Sequence, residues 1–322
     1  MRDRGATVNR PITDNEARER DAIDGRVAFA VAAFVAAGGL IALLDRVGVS
    51  ERFIAAIGPV TALIGLGLIG AFMRTMRISR FYAAGRATPP AYAGYATAAI
   101  AAGLAIPFTP PVADHYSGAG VFTGLVAGVA CAAFVSGPFL RKVGAFSISD
   151  LIGARFDNMA LRLGAAMIVG ASSLLVALAG FEATVGALTT IAGVSRGVAA
   201  FATAMILVLA TTPGGVSGAV WAAVAAAGVA TTGFALPLAV QTVAGHPLPL
   251  PFLGDQDAWR KALDQIAQWQ GEAGQPVGLT LSLGMALGMA ATAPLLAPLI
   301  SVRDRAAALR AGLGASIWSA AL

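Results

Sequence analysis

Six stretches of this chain, 27–44, 53–73, 118–140, 163–181, 197–212 and 218–241, contain no Asp, Glu, Lys or Arg, and this restricts the fold more than any motif does. A hydrocarbon core of about 30 Å is crossed by roughly 20 apolar residues rising about 1.5 Å each, and these runs have that length. Charge is concentrated between them and at the start, where residues 1–26 hold twelve charged side chains. Only 12% of the 322 residues are charged, against about 25% in soluble domains. That composition excludes a disulfide scaffold, a disordered chain and a nucleic-acid-binding domain. The net charge of +5 does not reverse this, because the basic residues sit between apolar runs and form no stripe.

The sequence therefore predicts an all-α polytopic membrane protein. Spans are expected over 27–44, 53–73, 91–108, 118–140, about 161–192, 197–212, 218–241 and 277–300. Helices are preferred over strands because the runs are long, rich in Ala, Leu and Gly, and lack a two-residue alternation, and because a backbone in lipid must satisfy its own hydrogen bonds. A ninth apolar run, Ala311 to Leu322, has twelve residues and is too short to cross a bilayer. With alternate connections placed on opposite sides, 17 Lys and Arg fall on one side and 5 on the other. The basic side is cytoplasmic by the positive-inside rule, which places the N-terminus inside a cell (inner) membrane and the 242–276 connection outside. A cleaved signal peptide at 27–44 is disfavoured by the long polar head before it.

Few residues look chemical. Cys131 is alone in an apolar run, and His115 and His246 stand far apart in proline-flanked connections, so neither a disulfide nor a resident metal is expected. Gly65-Leu66-Gly67-Leu68-Ile69-Gly70 matches the dinucleotide fingerprint but lies inside a span with no strand before it, so packing is the better reading. Gly120, Gly124 and Gly128 repeat every four residues on one helix face and read the same way. Glu182 is an acid in an otherwise apolar stretch and a candidate intramembrane carboxylate. Counting twenty residues from Arg162 carries it about 30 Å, which also fits a position near the outer interface. The span 91–108 follows Pro89-Pro90, carries Gly94 and Gly103, and runs into Pro107. Two readings are open there: a break in its second half, in the lipid interior, with main-chain oxygens open to a passing cation, or a helix that simply ends at Pro107. No Ser-His-Asp set, paired carboxylates or phosphate cradle appears in the spans, so the chain is not expected to be an enzyme.

Three segments resemble the solute:sodium symporter family, in its cation/acetate symporter-like branch that bears one extra leading helix. They are Arg80-Phe81-Tyr82-Ala83-Ala84-Gly85-Arg86 with Pro89-Pro90 and Gly94-Tyr95-Ala96-Thr97-Ala98-Ala99; the stretch Pro138 to Phe156, similar to the loop between the second and third core helices; and Gly214-Gly215 before Trp221, similar to the start of the fifth. The resemblance covers roughly 50–310. It implies a five-plus-five inverted-repeat fold: a cytoplasmic polar head (1–26), two leading transmembrane helices (27–73), a first five-helix repeat (91–241), an extracytoplasmic loop (242–276) and the incomplete start of a second repeat (277–322). It further implies sodium as coupling ion, held by the backbone carbonyls of Ala99 and Ala102, with no other cofactor. The partners implied are a small organic anion, the lipid bilayer and a small companion membrane subunit, and no nucleic acid.

The sequence also departs from that family's pattern. Ile100, Gly103 and Ile106 stand where an acid and two serines are usual, Pro107 replaces an aromatic, Gly180-Phe181 replaces a Gly-Gln pair, and Ala222, Ala223 and Ala226 replace polar residues. Each loss removes a group that could face a polar solute. Two readings follow: a sodium-coupled symporter of a small monocarboxylate such as acetate, working by alternating access, or a degenerate module of the same fold serving as sensor, scaffold or truncated product without transport.

Overall fold

The computed structural model describes residues 46–74, 76, 78–105, 118–243 and 275–321, with scattered positions from 25 to 44. It divides into two compact units, Met1–Gly58 and Pro59–Leu322. In the first, positions 36–40 are helical. Further on, Val49 N–H donates to Leu44 C=O at 3.2 Å in a six-residue closure, with Gly48 at φ +83°. Glycine suits the left-handed turn that such a cap requires.

All regular structure among the described residues is helical. The elements are α1 (Glu51–Phe72), α2 (Ile78–Ala83) with a 3-10 turn (Ala84–Arg86), α3 (Pro90–Ala105) and α4 (Gly118–Cys131). A π-turn (Ala132–Ser136) leads from α4 into α5 (Gly137–Val143), followed by α6 (Ile148–Phe156), α7 (Met159–Ile191), α8 (Arg196–Thr211) and α9 (Gly215–Val243). Last come α10 (Gln275–Ala291), α11 (Ala293–Ile300) and α12 (Arg305–Ala321). Two helical stretches, Thr123–Val143 and Met159–Ile191, are long and apolar enough to cross a membrane, or up to four if each bent pair counts as one span. The protein is of the membrane helical type.

Local chemistry sets the helix ends. Pro90 occupies the first position of α3, where its missing N–H costs nothing. Ser147 caps α6 by accepting from Asp150 N–H at 3.1 Å. Asn158 caps α7 by accepting from Ala160 and Leu161 N–H at 2.9 and 3.2 Å. Asp304 caps α12 by accepting from Ala307 N–H at 2.7 Å. That last cap corrects the sequence reading: the final helix begins at Arg305, not 311, and has 17 residues. Arginine favours helices as strongly as leucine does, so Arg305 and Arg310 end an apolar run without ending a helix.

Small residues govern the packing. Beta-carbons built on Gly124 and Gly128 would lie 2.6 Å from Ser282 O and 2.8 Å from Ala286 O, so α4 and α10 touch backbone to backbone. The sequence reading of those two glycines as packing surface stands; Gly120 is a residue of whose surroundings nothing is described. Gly94 does the same for α3 and α12, 2.6 Å from Ala311 O. Gly215, at φ +55°, lets the start of α9 close on Phe81, whose carbonyl would lie 2.5 Å from an added β-carbon. Within 65–70, Gly67 meets Ile206 Cγ2 at 3.6 Å, Gly65 faces open space, and the surroundings of Gly70 are outside the description. The main core joins α3 (Ala93, Ala101, Leu104), α5 (Leu140), α11 (Leu295, Leu299) and α12 (Ala308, Ala311).

Helix α7 is the opposite case, with only Val185 and Leu188 buried along its 33 residues. Its charges are spaced in register. Arg162 donates to Asp150 at 2.7 Å, Arg196 donates to Glu182 at 2.7 Å, and residues 163–181 between them carry no charge. Twenty residues of helix rise about 30 Å.

Candidate functional site

Among the described residues two apolar helix pairs are bent at a short break, α8–α9 by 118° and α10–α11, which the sequence reads as one span. The two parts of α10–α11 bend by 43° around Thr292, whose backbone is extended at φ −66° and ψ 119°. The cause is Pro294, which offers no N–H to the carbonyl of Ala290 four residues back and whose ring crowds that carbonyl. Pro298 likewise offers none to Pro294. The strand of chain through the break is held by Thr292, whose N–H donates to Met289 O at 3.2 Å, whose hydroxyl donates to Gly288 O at 2.6 Å, and whose carbonyl accepts from Leu296 N–H at 3.2 Å. Sequence reasoning took 277–300 as one unbroken span. The signal it missed was the pair Pro294 and Pro298 within that run.

Helix α3, where the break was expected, is regular from Pro90 to Ala105. Gly94 and Gly103 lie inside it without interrupting it, and Gly94 serves the contact with α12. The expectation of a break in the second half of 91–108 is therefore corrected as far as Ala105, while Ile106 and Pro107 lie outside the described residues. The α3 face toward α11 is buried. Ala93, Thr97 and Ala101 are buried, Ile100 packs on the same core, and the Thr97 hydroxyl donates back to Ala93 O at 2.8 Å.

Ala99 is half-buried and Ala102 exposed. At about 100° per residue they share the stripe of Tyr92 and Tyr95, not the stripe that meets α11. That stripe carries the polar contacts of α3. Tyr95 Oη lies 2.6 Å from Thr231 Oγ1 on α9, whose own hydroxyl donates to Ala227 O at 2.7 Å. The Tyr95 ring meets Trp318 edge-on at 4.7 Å, and Tyr92 meets Trp221 at 5.3 Å. None of these partners was visible as a pair in the sequence. The glutamate candidate is elsewhere: Glu182 is paired with Arg196, their side chains 58% and 74% exposed. Phe181 packs beside Val185 and Leu188, and Ala222, Ala223 and Ala226 on α9 are half-buried. Among the described residues no three of His, Cys, Asp or Glu gather as metal ligands.

The loop 138–156 explains its own residues. Arg141 donates from Nε to Val302 O at 2.7 Å and from a terminal nitrogen to Arg303 O, filling acceptors just past α11. Arg86 donates to Gly144 O at 2.8 Å and lies 4.7 Å above the Phe146 ring. Thr88 N–H donates to Ser301 O at 3.2 Å. Three connections separated in sequence thereby tie the adjoining ends of α3, α5, α11 and α12 together.

Known protein families give no match to this chain, and no solved structure matches it. A curated protein of Cupriavidus necator described as an uncharacterized symporter is 28% identical over 123 residues, which is 37% of this chain and 18% of that protein. The chain thus matches less than a fifth of that relative's length. The relationship is symporter-like and distant.

Proposed function

We propose that this protein is a secondary transporter, a sodium-coupled symporter of a small monocarboxylate such as acetate, working by alternating access. The observation that carries the reading is the break at Thr292, because unwound segments inside membrane helices supply backbone groups to ions and solutes. The α10–α11 break lies beside the packed core that α3 shares with α11, and the solute path is assigned to the break itself at Thr292. Support for transport no longer comes from α3 itself, which is regular and buried toward α11 over the described residues. Family resemblance assigns sodium to the carbonyls of Ala99 and Ala102, which lie within regular α3 and have to be released from helical hydrogen bonding to bind it.

The protein is read as spanning the cell membrane with its N-terminus inside. The two ion pairs of α7, about 30 Å apart, then bracket the hydrocarbon core. Glu182 becomes an interfacial charge, not a coupling group. The tied connections around Arg86 and Arg141 fall on the cytoplasmic side, where they close the inner end of the path.

A second reading, a non-transporting module of the same fold, is favoured by one observation: the buried hydroxyl of α3, Thr97, is spent on its own helix. Proteoliposome uptake of labelled acetate separates the two. An inward sodium gradient is expected to drive accumulation above that seen with potassium on both sides. Equal uptake under both conditions would remove sodium coupling, and uptake no greater than in protein-free liposomes would favour the second reading.

A further inference from the structure

The connection from α1 to α3 carries a surface that neither the packing nor the transport reading uses. Phe72, Met76, Ile78 and Tyr82 are 82%, 85%, 77% and 61% exposed, and the arginines interleaved with them, Arg74 and Arg80, are exposed too. The opposite side of the segment is fixed. Ala83 and Ala84 are buried, and Phe81 is seated against Gly215 at the start of α9. Ile78, Arg80 and Tyr82 are therefore presented on an anchored helix, and Phe72, Arg74 and Met76 precede it in the chain.

The charge is one-sided. Residues 74–86 hold four arginines, and the nearest acids in sequence are Glu51 and Asp114. Among the described residues the two ion pairs, Arg162–Asp150 and Arg196–Glu182, involve none of these arginines. Large apolar side chains alternating with unpaired arginines, next to the end of an apolar helix, match the two contacts a leaflet offers. Apolar side chains enter the boundary of the acyl region, while arginines remain at the phosphates.

We propose that Phe72–Tyr82 is a docking surface for anionic phospholipid headgroups. The assignment rests on the bilayer-spanning reading above but not on transport. Anionic lipid is the occupant because zwitterionic headgroups offer no net charge to an unbalanced arginine cluster, whereas each basic residue near an anionic surface contributes about a five-fold preference.

The test is lipid retention. Full-length protein is reconstituted in nanodiscs of phosphatidylcholine with phosphatidylglycerol, extracted in mild detergent, and its retained lipids quantified by mass spectrometry. Wild type is expected to retain phosphatidylglycerol above its share of the mixture. R74Q/R80Q should lower that preference by roughly thirty-fold without changing the thermal midpoint. A control, R155Q/R305Q/R310Q, removes more charge from other exposed positions and should keep most of it. A third variant, M76Q/I78Q, should weaken retention of both lipids. Unselective retention by wild type, or equal loss in both arginine variants, would overturn the assignment. Retention of no lipid at all would overturn the bilayer reading beneath it, and failed acetate uptake with selective retention would reject transport alone.

Discussion

Replacing Gly128 by alanine tests whether close backbone approach holds α10 in place. The added β-carbon would lie 2.8 Å from Ala286 O, where ordinary contact begins at 3.4 Å, so α4 and α10 must part by at least about half an ångström. Overpacking of this kind costs about 1–3 kcal/mol. Alanine also gains about 0.5–1 kcal/mol over glycine in a helix interior, which masks part of the clash. Gly170→Ala in α7 removes that ambiguity, because nothing lies within 4 Å of its added β-carbon and it collects the same helical gain. The difference between the two variants isolates the steric term. In detergent, the thermal midpoint of Gly128→Ala should fall several degrees below that of Gly170→Ala. Equal midpoints would refute the claim that the α4–α10 contact is set by glycine.

Three further outcomes follow from the same geometry. Arg141→Ala removes charge-assisted bonds to two backbone carbonyls and should cost about 2–4 kcal/mol, seen as a lowered thermal midpoint that Arg141→Lys restores only in part because a single ammonium does not reproduce the fork. Glu182→Gln breaks an exposed pair worth at most about 1 kcal/mol, so expression and uptake should hardly change; a lost or pH-shifted uptake would place that carboxylate on the transport path. Thr203 is 3% exposed and its hydroxyl has no partner. Thr203→Val should therefore leave the midpoint unchanged or raise it, by up to about 2 kcal/mol of stability, and a drop would reveal a hydrogen-bonding role.

The extents of α1 and α7 were legible because charged residues bound their apolar runs. Thus 53–73 falls within a residue or two of α1 and about 161–192 of α7. The close face of Gly124 and Gly128 was legible because the four-residue repeat is a property of one helix. What failed was of two kinds. Arg305 and Arg310 were taken as ending a helix when they end only its apolar run. Proline was given weight at Pro107, which lies outside the described residues, but none at Pro294, since in a run as apolar as 277–300 hydropathy alone gives no cue to a bend. The clamp of Arg141 on Val302 and Arg303, and the Tyr95–Thr231 contact, join residues 161, 162 and 136 positions apart. No local pattern encodes such pairs. The candidate ion ligands Ala99 and Ala102 rested on family resemblance, and their side chains carry no chemistry from which to read them.

Cysteine accessibility at the break tests the transport path most directly. Cys131 is exposed, so Thr292→Cys is made in a Cys131→Ser background, reconstituted, and treated with a membrane-impermeant thiol reagent from each side. A water-lined path predicts modification of the cysteine at 292 from at least one side, slowed by acetate with sodium. A cysteine there that resists reagent from both sides, in protein that remains folded, would contradict a solute path through α10–α11.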